Sequence, residues 1–283
     1  MGVEIYYFSG TGNSLYAARE MQKRLPGSKL TSIVRELRRD IIKTDADTVG
    51  LVFPNFCLTL PIPVKEFLQK ADFSSARYLF AVCTRGGSPS TALTDMDRIL
   101  KKKGKRLHAA VHVNMPWNHP LGKENLPGEA TTERIEALMK GMRRKLDILA
   151  EKVLVGAEYR PADTDALIRL PLFIRGLNRL MPKKANDRMH VRLYQERLSF
   201  YRDEKCSGCG VCENVCLAGK IHLVDSGPVW QEQAPCLACY ACVNYCPSQS
   251  IQIRDAFPIR SYSAHNGRYH HPGVTAADIA AQK

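Results

Sequence analysis

This sequence has few of the features that place a chain in or across a membrane. It contains no uninterrupted apolar run of about 18 residues, the length a spanning helix needs. Its start, MGVEIYYFSG, enters a strand-like run with no basic leader or cleavage site. Gly2 lacks the downstream Ser or Thr that N-myristoylation requires. The expected compartment is therefore the cytoplasm. Lysine is missing from the loop after the first apolar run, FSGTGNS from Phe8 to Ser14, which excludes a Walker A loop and NTP hydrolysis there. The dinucleotide fingerprint G-x-G-x-x-G also fails: Gly10 and Gly12 begin it, but Leu15 stands where the third glycine belongs. Acidic residues are in deficit, 28 against 41 Lys and Arg, for a net charge of +13. The excess is densest from Lys140 to Arg197 and no nucleic-acid motif accompanies it, so nucleic acid is not an expected partner. Solvated helix faces, an acidic redox partner protein and, less favoured, an anionic membrane surface remain as its readings.

Cysteine is abundant. Ten cysteines without an export signal point to metal or redox chemistry rather than disulfides. Eight of them form two groups, CSGCGVCENVC (Cys206, Cys209, Cys212, Cys216) and CLACYACVNYCP (Cys236, Cys239, Cys242, Cys246). Both follow C-x2-C-x2-C-x3-C, in which three cysteines wrap one cubane and the fourth points away to ligate the other cluster. This spacing assigns one [4Fe–4S] cluster to Cys206, Cys209, Cys212 and Cys246, and a second to Cys236, Cys239, Cys242 and Cys216. Zinc also uses C-x2-C pairs, but it has no use for a third cysteine at the same spacing in both groups. The first group departs from the usual pattern at Leu217, where proline is expected. Short strands at Ile221–Val224 and Ile251–Ile253 would complete a twofold repeat.

In the N-terminal part, apolar strands are expected at Val3–Phe8, Thr48–Phe53, Arg77–Cys83 and Leu107–Val113. Helices are expected at Leu15–Leu25, Val64–Ala71 and Thr91–Lys103. The alternation implies an α/β fold, a doubly wound parallel sheet with helices on both faces. Ser9, Thr11 and Ser14 offer hydroxyls, and a helix N-terminus behind them would complete an anion cradle. The loops after later strands carry Pro54, Asn55 and Phe56, then Thr84, Arg85, Gly86 and Gly87, then Trp117 and Asn118. Cys57 and Cys83 read as small core residues, and Arg85 on its own reads equally as an exposed arginine on a turn. Basic Thr131–Leu154 is expected to be helical. His270 and His271 are expected at the surface.

The S-G-T-G-N-S loop resembles the phosphate loop of flavodoxins. With the paired cysteine groups, the chain resembles the family of flavodoxin–ferredoxin fusion proteins over about residues 1–125 and 200–256. The resemblance implies a flavodoxin-like five-stranded domain at 1–160, a basic arm at 161–199, a small α+β two-cluster ferredoxin-like domain at 200–256 and a tail at 257–283. It implies FMN, its phosphate on Ser9, Gly10, Thr11, Gly12, Asn13 and Ser14. Its ring would lie among Pro54–Phe56, Thr84–Gly87 and Trp117–Asn118, with Phe56 stacked and Arg85 beside the N1–O2 edge. The function so implied is electron transfer to a redox partner, a ferredoxin, flavodoxin or reductase, docking through the basic face. A flavin-dependent NAD(P)H or quinone reductase and a redox sensor are the alternatives. No constellation of general acid, base or nucleophile is evident.

Overall fold

The computed structural model describes residues 2–56, 58–118, 132–166, 198–254, 263, 264 and 267–283. Five strands, β1 (Val3–Tyr7), β2 (Lys29–Ser32), β3 (Thr48–Pro54), β4 (Tyr78–Arg85) and β5 (Ala109–Asn114), form one parallel sheet in the order β2-β1-β3-β4-β5. This is the flavodoxin-like order of doubly wound sheets. β4 is buried along its whole length, as a central parallel strand covered on both faces must be. β2, KLTS, is polar at three of its four positions and sits at the sheet edge, so its hydropathy gives little signal.

Helix α1 (Asn13–Arg24) buries Leu15, Ala17, Ala18 and Met21, the three-to-four spacing of a helix with one apolar face. It packs beside α5 (Thr132–Leu154), whose buried Met139, Met142, Leu146, Leu149 and Val153 follow the same period. Lys140, Arg143 and Arg144 of α5 are exposed, so this part of the charge excess is a solvated face. After the one-turn α2 (Ile33–Glu36), helices α3 (Ile62–Lys70) and α4 (Ala92–Lys101) pack together. Right-handed crossovers put α3 and α4 on the sheet face opposite α1. The basic stretch 167–197 lies outside the described residues, as does Cys57.

The C-terminal module contains two antiparallel ribbons. β6 (Phe200–Arg202) pairs with β9 (Ile251–Ile253), and β7 (Ile221–Val224) with β8 (Gly227–Trp230). One-turn helices α6 (Val211–Asn214) and α7 (Ala241–Asn244) follow the second cysteine of each group and carry the third, Cys212 and Cys242. The module has its own core around Phe200, Val243, Ile251 and Ile253. Val215, Leu217, Ala241 and Tyr245, however, belong to the core of the parallel sheet, and so do Val274 and Ile279 of the C-terminal segment. One continuous apolar core therefore joins the two domains. The short α8 (Ala276–Ala280), capped by a reciprocal box between Thr275 and Asp278, ends the chain.

Candidate functional site

The loops leaving β1, β3, β4 and β5 converge at the C-terminal edge of the sheet, outside the switch point between β1 and β3. They surround a cavity of about 240 Å³. Ser9, Gly10, Thr11, Asn13 and Ser14 form its floor, with Pro54, Asn55 and Phe56 on one side and Thr84, Arg85, Gly86, Trp117 and Asn118 on another. Gly12 and Gly87 do not line it. Gly12 precedes α1 with φ +96° and no side-chain cap on the helix, and its own N–H donates to Ser9 Oγ at 3.2 Å. A Cβ there would meet Val274, His271 and the Tyr245 hydroxyl at 2.9–3.1 Å, so this glycine admits the C-terminal segment.

Several lining groups are already engaged. The Ser14 and Thr84 hydroxyls pair at 2.8 Å. Asn13 Nδ2 donates to the Pro116 carbonyl at 3.0 Å. Asn55 knits its loop to the next one, donating to Ser88 Oγ at 3.0 Å and the Pro89 carbonyl at 3.1 Å. Phe56 meets Phe8 edge-on, ring centres 6.0 Å apart. Trp117 lies on Gly86, where a Cβ would come within 2.3 Å of the indole.

Arg85 is corrected by the structure. It is no exposed turn residue: its side chain is fully buried, with the guanidinium against Asp163 at 2.5 Å and Asp165 at 2.9 Å and Nε on Asn114 at 2.9 Å. Burial opposes the charge on Asp163, but the guanidinium outweighs it and holds this carboxyl below its ordinary value. Arg85 thus stands beside the cavity as a neutralised cation, tying residues 163 and 165 to the sheet edge. Cys83 is a buried core thiol, pushed up to about 12 by burial.

The remaining wall comes from the cysteine module. Ala238, Cys239 and Tyr240 line the same cavity as the Ser9–Ser14 loop. A Cβ on Gly10 would stand 2.5 Å from the Cys239 carbonyl oxygen. Asn118 bridges the two, donating to Thr11 Oγ1 and accepting from Asn244 Nδ2 at 3.1 Å. Sequence gave no signal for this wall, because nothing in either motif specifies how the domains dock.

The eight cysteines fall into two sets around two smaller cavities. Cys206, Cys209, Cys212 and Cys246 ring one, and Cys216, Cys236, Cys239 and Cys242 ring the other. Among the described residues, no three His, Cys, Asp or Glu side chains close on a point as a single ion requires. The two halves repeat in detail. Gly208 and Gly210 have φ of +69° and +73°, and Ala238 and Tyr240, at matching positions, +52° and +55°. Lys220 N donates to Cys216 Sγ at 3.2 Å, as Ser250 N does to Cys246 Sγ at 3.3 Å. The turn after the fourth cysteine is therefore kept without proline. Leu217 is instead 4% exposed and packs in the shared interdomain core. Burial pushes Cys212 and Cys236 up to about 11 and Cys239 to about 12, so loading iron would displace thiol protons.

The C-terminal segment completes the site. His271 N donates to the Thr11 carbonyl at 2.9 Å, and the Tyr269 hydroxyl lies 3.4 Å from Asn13 Oδ1. The Gln282 carboxamide accepts from Ser9 N at 3.0 Å and donates to Ser9 O at 2.8 Å. His271, expected at the surface, is buried at 5% exposure and stacked on Tyr16, ring centres 3.9 Å apart, because its backbone is drawn onto the loop. His270 is exposed, stacked on Tyr245. Burial, aided by His270 and Arg143, lowers His271 from 6.5 to about 4. The folded state therefore refuses a proton that the unfolded chain accepts. The stability contributed by neutral His271 is full above pH 6.5, falls as pH drops toward 4, and is then constant. A difference of this size corresponds to about 3 kcal/mol. Denaturant titrations at pH 7 and pH 4.5 will show a smaller loss for His271→Phe, which keeps a stacked ring, than for the native chain.

Residues 205–251 match the family described as 4Fe-4S dicluster domain. No curated protein sequence matches the chain. Among solved structures, the Streptococcus pneumonia TIGR4 flavodoxin is similar at 15% identity, with 56% of this chain and all of that one covered and a TM-score of 0.37. Two-electron reduced Megasphaera elsdenii flavodoxin gives 15% identity, 53% and 98% coverage and 0.34. The azoreductase from Bacillus anthracis str. Sterne gives 11%, 54% and 100%, and 0.38. The fold rests on strand order rather than on these scores. With its 2-1-3-4-5 parallel sheet followed by a 4Fe–4S dicluster segment, the chain has the organisation of a flavodoxin–ferredoxin fusion.

Proposed function

We propose that this is an electron-transfer protein relaying electrons between FMN at the sheet edge, two [4Fe–4S] clusters and a redox partner protein. The observation that carries it is the common wall: Cys239 and its neighbours line the cavity floored by Ser9–Ser14. In this reading the uncapped N-terminus of α1 and the loop amides hold the FMN phosphate, anion binding that needs no lysine. Cys206, Cys209, Cys212 and Cys246 hold one cluster; Cys236, Cys239, Cys242 and Cys216 hold the other. Bound FMN supplies two-electron chemistry and each cluster a one-electron site, so their union converts one into the other.

The chain's own groups set the order. The Cys216, Cys236, Cys239 and Cys242 set adjoins the flavin cavity, whereas Cys209 of the other set is exposed. Leu223, on the ribbon beside that outer set, is exposed, as are Val224 and Val229. The outer set is thus where a partner's redox centre would approach, with the basic α5 face available to steer an acidic partner. Main-chain N–H groups on Cys216, Cys236 and Cys246 sulfurs tune the potentials.

Flavin and iron analysis after anaerobic purification tests this. About one FMN and about eight irons per chain are expected from two cubanes. Iron at that level with no FMN, even after FMN is added back, would remove the flavin half. Zinc in place of iron would end the relay reading.

A further inference from the structure

Arg268 lies in the segment between the cysteine module and the chain end. Its Nη2 donates to the Ile251 carbonyl and to Gln252 Oε1, both at 3.1 Å. Its Nε and Nη1 are buried and have no hydrogen-bond partner among the described residues. A guanidinium does not lose its proton in a protein. Buried, unpaired donors on a permanent cation are costly unless something negative compensates them.

Among the described residues, one acid's charge reaches it, and that acid does not hydrogen-bond the two free donors. Asp203, the carboxylate whose charge reaches this guanidinium, is engaged by Gln252 Nε2 at 3.0 Å and Lys205 N at 3.1 Å. Of the cysteine sulfurs, that of Cys246 acts on Arg268 most strongly, and that of Cys242, from the other set, less. Ile251, whose carbonyl holds Nη2, lines the cavity ringed by Cys206, Cys209, Cys212 and Cys246. An anionic, sulfide-bearing cluster in that cavity would add negative charge on the side where the free donors lack it.

We propose that Arg268 is the internal counter-cation of the cluster held by Cys206, Cys209, Cys212 and Cys246, and makes it the more easily reduced of the two. This rests on the cluster assignment above. Reduction adds one electron to the cluster, and a fixed cation beside it favours the reduced state. The outer site then becomes the electron sink, and electrons entering from the flavin side collect where a partner docks. Arg268 would act by its charge, without ligating iron.

The test is a redox titration of the anaerobically purified full-length chain, monitored by electron paramagnetic resonance, with iron content measured in parallel. Arg268→Gln should lower the reduced-to-oxidised ratio of one cluster about tenfold at a given potential, equivalent to about 59 mV for a one-electron couple. The other cluster should shift less, and Arg268→Lys should stay near the native value. Iron lost from the Gln variant but kept in the Lys variant would also support a charge role. Native potentials in a fully loaded Gln variant, or equal iron loss in both variants, would overturn the inference while leaving the cluster assignment intact. A native chain without iron would overturn both.

Discussion

Gly10→Ala is expected to weaken FMN binding roughly 5- to 150-fold while leaving the iron content of the chain unchanged. The added methyl would lie 2.5 Å from the Cys239 carbonyl oxygen and 2.7 Å from the Cys239 Cβ. The obstacle is backbone, so no change of rotamer relieves it. Gly10 is not among the glycines with positive φ, so alanine meets no conformational penalty of its own, and the effect is one of contact alone. Overpacking of this kind costs about 1–3 kcal/mol, and 1.4 kcal/mol is about tenfold in affinity. One of the two surfaces must yield. The cysteine module is anchored by Val215, Leu217, Ala241 and Tyr245 in the shared core, and backing away would expose them. The Ser9–Ser14 loop is the part that shifts, and FMN affinity records its displacement. Titration of FMN fluorescence against the cluster-loaded chain measures this. Native affinity in the alanine variant would mean that the loop and the Cys239 segment do not touch as described.

The cysteine spacing and the FSGTGNS loop were legible because each is a local code: ligand geometry and a tight strand-to-helix turn both fix residue types at short range. The strands at Ile221–Val224 and Ile251–Ile253 were legible for the same reason, as apolar runs closed by turns, whereas their partners Gly227–Trp230 and Phe200–Arg202 were not. Long-range partnership was not. Arg85 looked like a turn residue because Asp163 and Asp165, which bury it, lie about 80 positions away in a stretch that reads as linker. His271 looked exposed because its neighbours are polar, yet Thr11 and Tyr16 cover it. Leu217 read only as a missing proline. In the fold it is a core residue at the joint between domains, and a buried side chain there serves docking in a way proline's ring would not.

Gln282→Glu is expected to impair FMN binding more severely than Gln282→Ala, and this ordering tests what the loop holds. Gln282 is fully buried, and its carboxamide meets both the N–H and the C=O of Ser9, which is itself 1% exposed. Alanine leaves both main-chain groups without a partner, at about 1–3 kcal/mol each. Global stability should fall by roughly 2–6 kcal/mol on that basis, read as a lower denaturant midpoint. Glutamate keeps the acceptor for Ser9 N but loses the donor to Ser9 O, so hydrogen bonding alone ranks it above alanine. Charge reverses that ranking if the loop binds a phosphate, because a buried carboxylate would then stand behind an anion site formed by the same backbone. The penalty of the Glu variant should shrink as pH is lowered and the carboxyl protonates. If Glu instead binds FMN better than Ala at neutral pH, the loop does not hold an anion, and the helix N-terminus behind Gly12 has some other task.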